Sequence, residues 1–196
     1  PNPETARGLV LVAHGLNLKP AKMTALAQAL CNESSQLSCK IITLPGHEGP
    51  SDPDPSGDSG KIDSEWSQRW KGAILAEIET LKNEAQGRPL YFLGYSFGAL
   101  MGAWAVQQYE SSPFEKLFLI APALESRWYA KAVLLIPGPD RWRIPSKNHP
   151  EYRVNGGTSL GAYRALYAIQ DQVRRADPKL LDLDVHAWIN PRDELV

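Results

Sequence analysis

No apolar stretch in this 196-residue chain is long enough to span a bilayer, and no basic cluster could follow a nucleic-acid backbone. The first absence argues against a transmembrane segment, and the second leaves RNA or DNA binding without electrostatic support. Charge of either sign is not in excess: 21 Lys and Arg face 22 Asp and Glu, for a net charge of −1. Cysteine is scarce. Only Cys31 and Cys39 are present, and no histidine stands near them at ligand spacing, so a zinc site is unsupported. The pair reads either as two unrelated small core residues or as a disulfide across 32–38. The disulfide would favour an exported protein over a cytoplasmic one. Internal repeats and low-complexity tracts are missing, and the first residues do not read as a signal peptide. The chain begins with Pro1, so residues upstream are expected to have been removed or left out.

What is present suits one globular domain over residues 1–196. Hydrophobic residues make up 43% and charged residues 22%, and the length allows a substantial core. Residues 8–13, Gly-Leu-Val-Leu-Val-Ala, form a nearly continuous apolar run, which predicts a buried strand. A helix is expected over 21–30, with Met23, Leu26, Ala27 and Leu30 on one face, and a second strand over 40–44. Residues 48–60 are rich in Pro, Gly, Ser and Asp and read as a long loop. In the next helix Trp66, Trp70, Ile74, Ile78 and Leu81 recur every three or four positions, the spacing of one buried face. A strand is expected over 90–93, a helix over 99–109, a strand over 116–120, a helix over 161–173 and a last strand over 183–189. Strands and helices alternate, and the strands are apolar on both faces. The pattern predicts an α/β protein with a mainly parallel central sheet and helices on both faces.

The most informative segment is Gly94-Tyr95-Ser96-Phe97-Gly98, at the junction of a predicted strand and helix. A serine at so sharp a turn is held in strained backbone with its Oγ above the sheet, and the flanking glycines leave room for close packing. Ser96 is therefore a candidate nucleophile. Three more features stand at strand ends, where ligands gather in such sheets: His14-Gly15-Leu16, Pro45-Gly46-His47-Glu48-Gly49, and Pro191-Arg192-Asp193-Glu194-Leu195-Val196. In this order these motifs resemble the α/β-hydrolases, in the branch of monoacylglycerol lipases, carboxylesterases and serine aminopeptidases.

The resemblance implies a serine hydrolase acting on small ester or lipid substrates, without a cofactor or metal. Ser96 would be the nucleophile and Asp193 the triad acid. The backbone N–H groups of Leu16 and Phe97 would form the oxyanion hole. It also implies a cap insertion over about 122–175, with the core at about 7–121 and 176–196. Trp128, Tyr129, Trp142, Tyr152, Tyr163 and Tyr167 read either as core packing with scattered surface aromatics or as the lining of that cap, and the cap is the preferred reading. An acyltransferase or peptidase using the same triad, and a non-catalytic binding module on the same fold, are the alternatives.

One departure stands out. In that family the histidine follows the acid, whereas all four histidines here precede Asp193. His14 is expected to hold the oxyanion loop, His47 to be structural, His186 to be a core or sheet-face residue, and His149 to lie in the cap. The fold is therefore expected to be incomplete at its C-terminus. The catalytic histidine would lie beyond Val196, in a continuing chain or in a second fragment, and residues 1–196 alone would be poorly soluble and nearly inactive. Asp52 to Asp58, with Asp63, matches part of a calcium-loop pattern, but two prolines interrupt it and an acidic surface loop is the preferred reading.

Overall fold

The computed structural model of the chain describes residues 4–32, 36–49, 62–176 and 183–190. Its order is β1 (Gly8–Ala13), a 3-10 turn (Pro20–Met23), α1 (Thr24–Leu30), β2 (Leu37–Ile42), α2 (Ile62–Ala85), β3 (Leu90–Tyr95) and α3 (Phe97–Val106). Then come β4 (Lys116–Ile120), a second 3-10 turn (Ala130–Leu135), β5 (Arg143–Pro145), β6 (Gly157–Ser159), α4 (Leu160–Arg175) and β7 (Asp184–Trp188). The main sheet has five strands in the order β2-β1-β3-β4-β7, and every neighbouring pair is parallel. β5 and β6 form a separate antiparallel pair. This is the α/β fold with a mainly parallel sheet that the alternation of elements implies.

Burial explains which sequence signals were strong. β1 is buried at all six positions, because helices cover both of its faces. Leu9, Leu11 and Ala13 face α2, α3 and α4, while Val10 and Val12 pack with Met23 and Ala27 on the side of α1. The stripe Trp66, Trp70, Ile74, Ile78 and Leu81 seats α2 on the sheet. Trp70 is 1% exposed, its indole N–H donates to Pro45 O at 3.0 Å, and its ring meets Phe97 edge-on at 4.6 Å. Truncation of so buried an aromatic costs about 3–5 kcal/mol. Helix α3 is buried at all ten positions. α4 is capped by Ser159, whose Oγ accepts from Ala162 N at 3.2 Å and so satisfies one orphan N–H of the first turn.

Several expectations are corrected. β2 starts at Leu37 rather than residue 40 and ends at Ile42, its apolar signal being interrupted by Ser38 and Lys40. The first helix opens as a 3-10 turn with a proline in its first positions, and Leu26, expected on the buried face, is 37% exposed. β7 is not buried: Asp184, His186, Ala187 and Trp188 are exposed, because β7 pairs with β4 on one side and no described strand flanks the other. Cys31 and Cys39 are not unrelated core residues. They are joined in a disulfide that ties the end of α1 to β2. Within the span expected as a cap, residues 121–159 are largely irregular, whereas α4 packs Ala162, Ala165, Leu166 and Ile169 into the main core. The stretch 52–58 weighed as a calcium loop lies outside the described residues, as does Asp193. Among the described residues no group of His, Cys, Asp and Glu could hold a metal ion, and no helix is long and apolar enough to cross a membrane.

Candidate active site

Ser96 sits between β3 and α3 with φ 52° and ψ −112°, outside both helical and extended backbone. Such a conformation costs about 1–3 kcal/mol and persists only where its surroundings over-determine it. Here they do. Ser96 N donates to Ile120 O at 2.9 Å, and its carbonyl accepts from Leu100 N and Ala123 N, both at 3.2 Å. The flanking glycines are required by space. A Cβ on Gly94 would lie 2.5 Å from Ala99 Cα, and one on Gly98 would lie 2.4 Å from Ala13 O. The first turn of α3 thus rests directly on the end of β1.

Beyond β1 the chain makes a tight turn, closed by Leu18 N donating to Gly15 O at 3.1 Å. Asn17 occupies the third position with φ 55°, where asparagine is among the few side chains tolerated. The turn abuts the nucleophile candidate: a Cβ on Gly15 would come within 3.5 Å of Ser96 Cβ. The N–H groups of Leu16, in this turn, and of Phe97, at the start of α3, make no hydrogen bond among the described residues. Phe97 N–H is one of the donors that the first turn of any helix leaves free.

Two buried histidines hold this turn. His14 is 0% exposed; its Nε2 accepts from Leu44 N at 3.1 Å, so its proton is on Nδ1 and reaches Gly15 O at 2.9 Å. His47 Nε2 accepts from Asn17 N at 2.9 Å, and its Nδ1 faces Leu44 O at 3.2 Å. The two rings lie 4.5 Å apart. Burial first, then the proximity of His47, lowers the pKa of His14 to about 3, against the raising effect of its bond to Gly15. His14 is therefore neutral, and both nitrogens of each ring are already engaged.

The remaining histidines lie elsewhere. His186 is in register with Phe118 and Leu93, so along the strands it falls three residues short of Ser96, about 10 Å. It stacks on Phe118 and pairs through Nε2 with Asp184 at 3.0 Å. His149 is exposed in the 121–159 segment, where its Nδ1 accepts from Glu151 N.

Leu16, Asn17, Pro45, Trp66, Arg143 and Asn155 border a cleft beside the turn. None of the six aromatics expected to line a cap pocket borders it. Trp128, Tyr129, Trp142 and Tyr152 are exposed, Tyr167 packs in the core, and Tyr163 packs against it. Two residues that sequence reasoning passed over, Asn17 and Asn155, pair with each other across this cleft at 2.8 and 3.0 Å. The only signal for Asn17 was its place after His-Gly-Leu, where a turn needs a residue that tolerates positive φ.

Comparison with protein families matches residues 4–180 to the family described as serine aminopeptidase, S33. Comparison with curated proteins finds no match. Among solved structures, one of the metagenome-derived lipolytic enzymes LipS and LipT superposes with a TM-score of 0.67 at 22% identity, covering 94% of this chain and 71% of that one. A soluble variant of monoglyceride lipase from Saccharomyces cerevisiae gives 0.69 at 15% identity, over 97% of this chain and 70% of the other. The monoacylglycerol lipase of Paleococcus ferrophilus gives 0.68 at 14%, over 94% and 73%.

Proposed function

This chain belongs to the serine aminopeptidase S33 family, within the α/β-hydrolases, and from that premise we propose that it is a serine hydrolase cleaving carboxylic esters through an acyl-enzyme on Ser96. One observation carries the reading: a serine in strained backbone at a strand-to-helix turn, with two N–H groups on the adjoining segments, of Leu16 and Phe97, that make no hydrogen bond among the described residues. Ser96 Oγ attacks the ester carbonyl, and a base takes its proton. The two N–H groups receive the oxyanion of the tetrahedral intermediate. Collapse expels the alcohol, which regains the proton, and water then releases the acid by the same route in reverse.

The base is not one of the four histidines described above. His14 and His47 have no free nitrogen, and His186 and His149 are held elsewhere by partners of their own. We assign it to an imidazole contributed by polypeptide outside residues 1–196 and oriented by Asp193. The preference for esters over peptides rests on the solved lipolytic enzymes and monoglyceride lipases whose fold this chain shares. The test is turnover by the protein expressed from its whole gene, using p-nitrophenyl esters of increasing acyl length beside aminoacyl p-nitroanilides. Ester turnover with a pre-steady-state burst is expected, with loss of at least about a thousandfold in Ser96→Ala. Turnover confined to the anilides would make the protein a peptidase, and ester turnover that survives Ser96→Ala would overturn the assignment.

A further inference from the structure

We propose that Asn17 and Asn155 form a latch by which residues 150–155 aim the Leu16 N–H at the reacting carbonyl, which makes both of them positioning residues for chemistry at Ser96. The inference rests on the reading of Ser96 given above. It starts from the peptide unit joining Gly15 to Leu16. That unit is planar and trans, so whatever fixes the Gly15 carbonyl fixes the Leu16 N–H pointing the opposite way. Two donors fix the carbonyl: Leu18 N at 3.1 Å and His14 Nδ1 at 2.9 Å. The His14 side is rigid, because its ring is wholly buried and held by Leu44 N. The Leu18 side depends on what holds Asn17 and Leu18.

Those two residues are gripped from a segment more than 130 positions away in sequence. Asn17 is 5% exposed, and its side chain acts as an extra peptide group: Oδ1 accepts from Asn155 N at 2.8 Å, and Nδ2 donates to Asn155 O at 3.0 Å. Its backbone is engaged as well, the carbonyl accepting from Val154 N at 3.1 Å and the N–H donating to His47. Leu18 pairs antiparallel with Arg153, and Lys19 N donates to Tyr152 O at 2.8 Å. Asn155 Nδ2 reaches Gly46 O at 3.3 Å and so ties in the loop after β2. The segment between β5 and β6 therefore adds a short ribbon to the oxyanion-side turn. Movement of that ribbon must rotate the peptide that carries the Leu16 donor, which couples the shape of the cleft to the readiness of the site.

The test uses Asn17→Gly, which keeps the positive φ and removes both side-chain bonds. A second variant, Val154→Pro, removes the donor to Asn17 O from the far side of the latch while every residue of the turn keeps its identity. Steady-state kinetics with the best p-nitrophenyl ester are measured beside affinity for a matched trifluoromethyl ketone, whose hemiketal oxyanion mimics the intermediate. Complete loss of an oxyanion donor costs about 10²–10³-fold in kcat, so a misaimed one should cost about 10–100-fold. The expected pattern is a fall of that size in kcat in both variants, with KM nearly unchanged and ketone affinity falling in parallel with kcat/KM. Unchanged kcat and unchanged ketone affinity in Asn17→Gly would overturn the latch. So would a rise in KM alone, since that would make the ribbon a wall of the substrate site. If the unaltered protein neither forms the hemiketal nor turns over ester, the reading of Ser96 fails first and the latch falls with it.

Discussion

Replacing Gly98 by alanine tests the packing that creates the elbow. The new methyl would lie 2.4 Å from Ala13 O, 2.6 Å from Ala13 C and 2.7 Å from His14 O. All three are backbone atoms, so no side chain can swing aside; either α3 lifts or the end of β1 retreats. α3 is buried at every position and β1 is the second strand of five, so neither can shift cheaply. Overpacking of this kind costs about 3 kcal/mol, the upper end of the usual range. A matched control lies in α2, where a Cβ on Gly72 would meet nothing within 4 Å. There alanine should stabilise the helix by about 0.5–1 kcal/mol. The two variants should therefore differ by about 4 kcal/mol in urea unfolding followed by circular dichroism, with equal m-values. Gly98→Ala should also slow reaction at Ser96, because Ala13 and His14 lead into the turn that carries Leu16. A Gly98→Ala variant within 0.5 kcal/mol of the unaltered protein would refute the close approach of α3 to β1.

Three further outcomes are expected. His14 stays neutral in the fold down to about 3, but in the unfolded chain it takes a proton near 6.5, so acid favours unfolding between those values. From pH 7 to pH 5 this group alone should remove about 2 kcal/mol of stability, and a His14 ring proton whose NMR shift titrates above pH 5 would contradict its burial. Cys39→Ser should lower stability by about 2.5 kcal/mol, the loop-closure value for so short a ring, and lower Tm by about 5–10 °C; alkylation of both thiols without reductant would show that the bond is not formed. Trp70→Ala should cost about 3–5 kcal/mol, since the ring seats α2 against Phe97 and its N–H holds the Pro45 carbonyl. A loss below 1 kcal/mol would refute that seating.

How much was legible in the sequence varied with how local the cause was. β1 and the α2 stripe were plain because burial on two faces, or on one helical face, leaves a direct period in the residue types. The elbow was legible because two glycines and a serine at fixed spacing serve one steric purpose. His14 and His47 were recognised as structural from their places in strand-end motifs, but their partners, Leu44 and Asn17, needed coordinates. β2 was misplaced because Ser38 and Lys40 interrupt its apolar run. β7 was placed to within a residue at each end, but its exposure was missed, because its apolar residues suggest a buried strand while no described strand flanks its outer edge. The Asn17–Asn155 pair was invisible for a different reason: its partners are 138 positions apart, and neither alone departs from an ordinary turn residue.

If Ser96 is a nucleophile, a fluorophosphonate should modify it covalently, and the site of that modification can be read directly. The protein expressed from its whole gene is incubated with the probe, digested, and the adduct located by tandem mass spectrometry. One stoichiometric adduct is expected on the peptide carrying Ser96, absent in Ser96→Ala and slowed in Asn17→Gly. An adduct on another serine, or none on native protein that unfolds cooperatively, would contradict it.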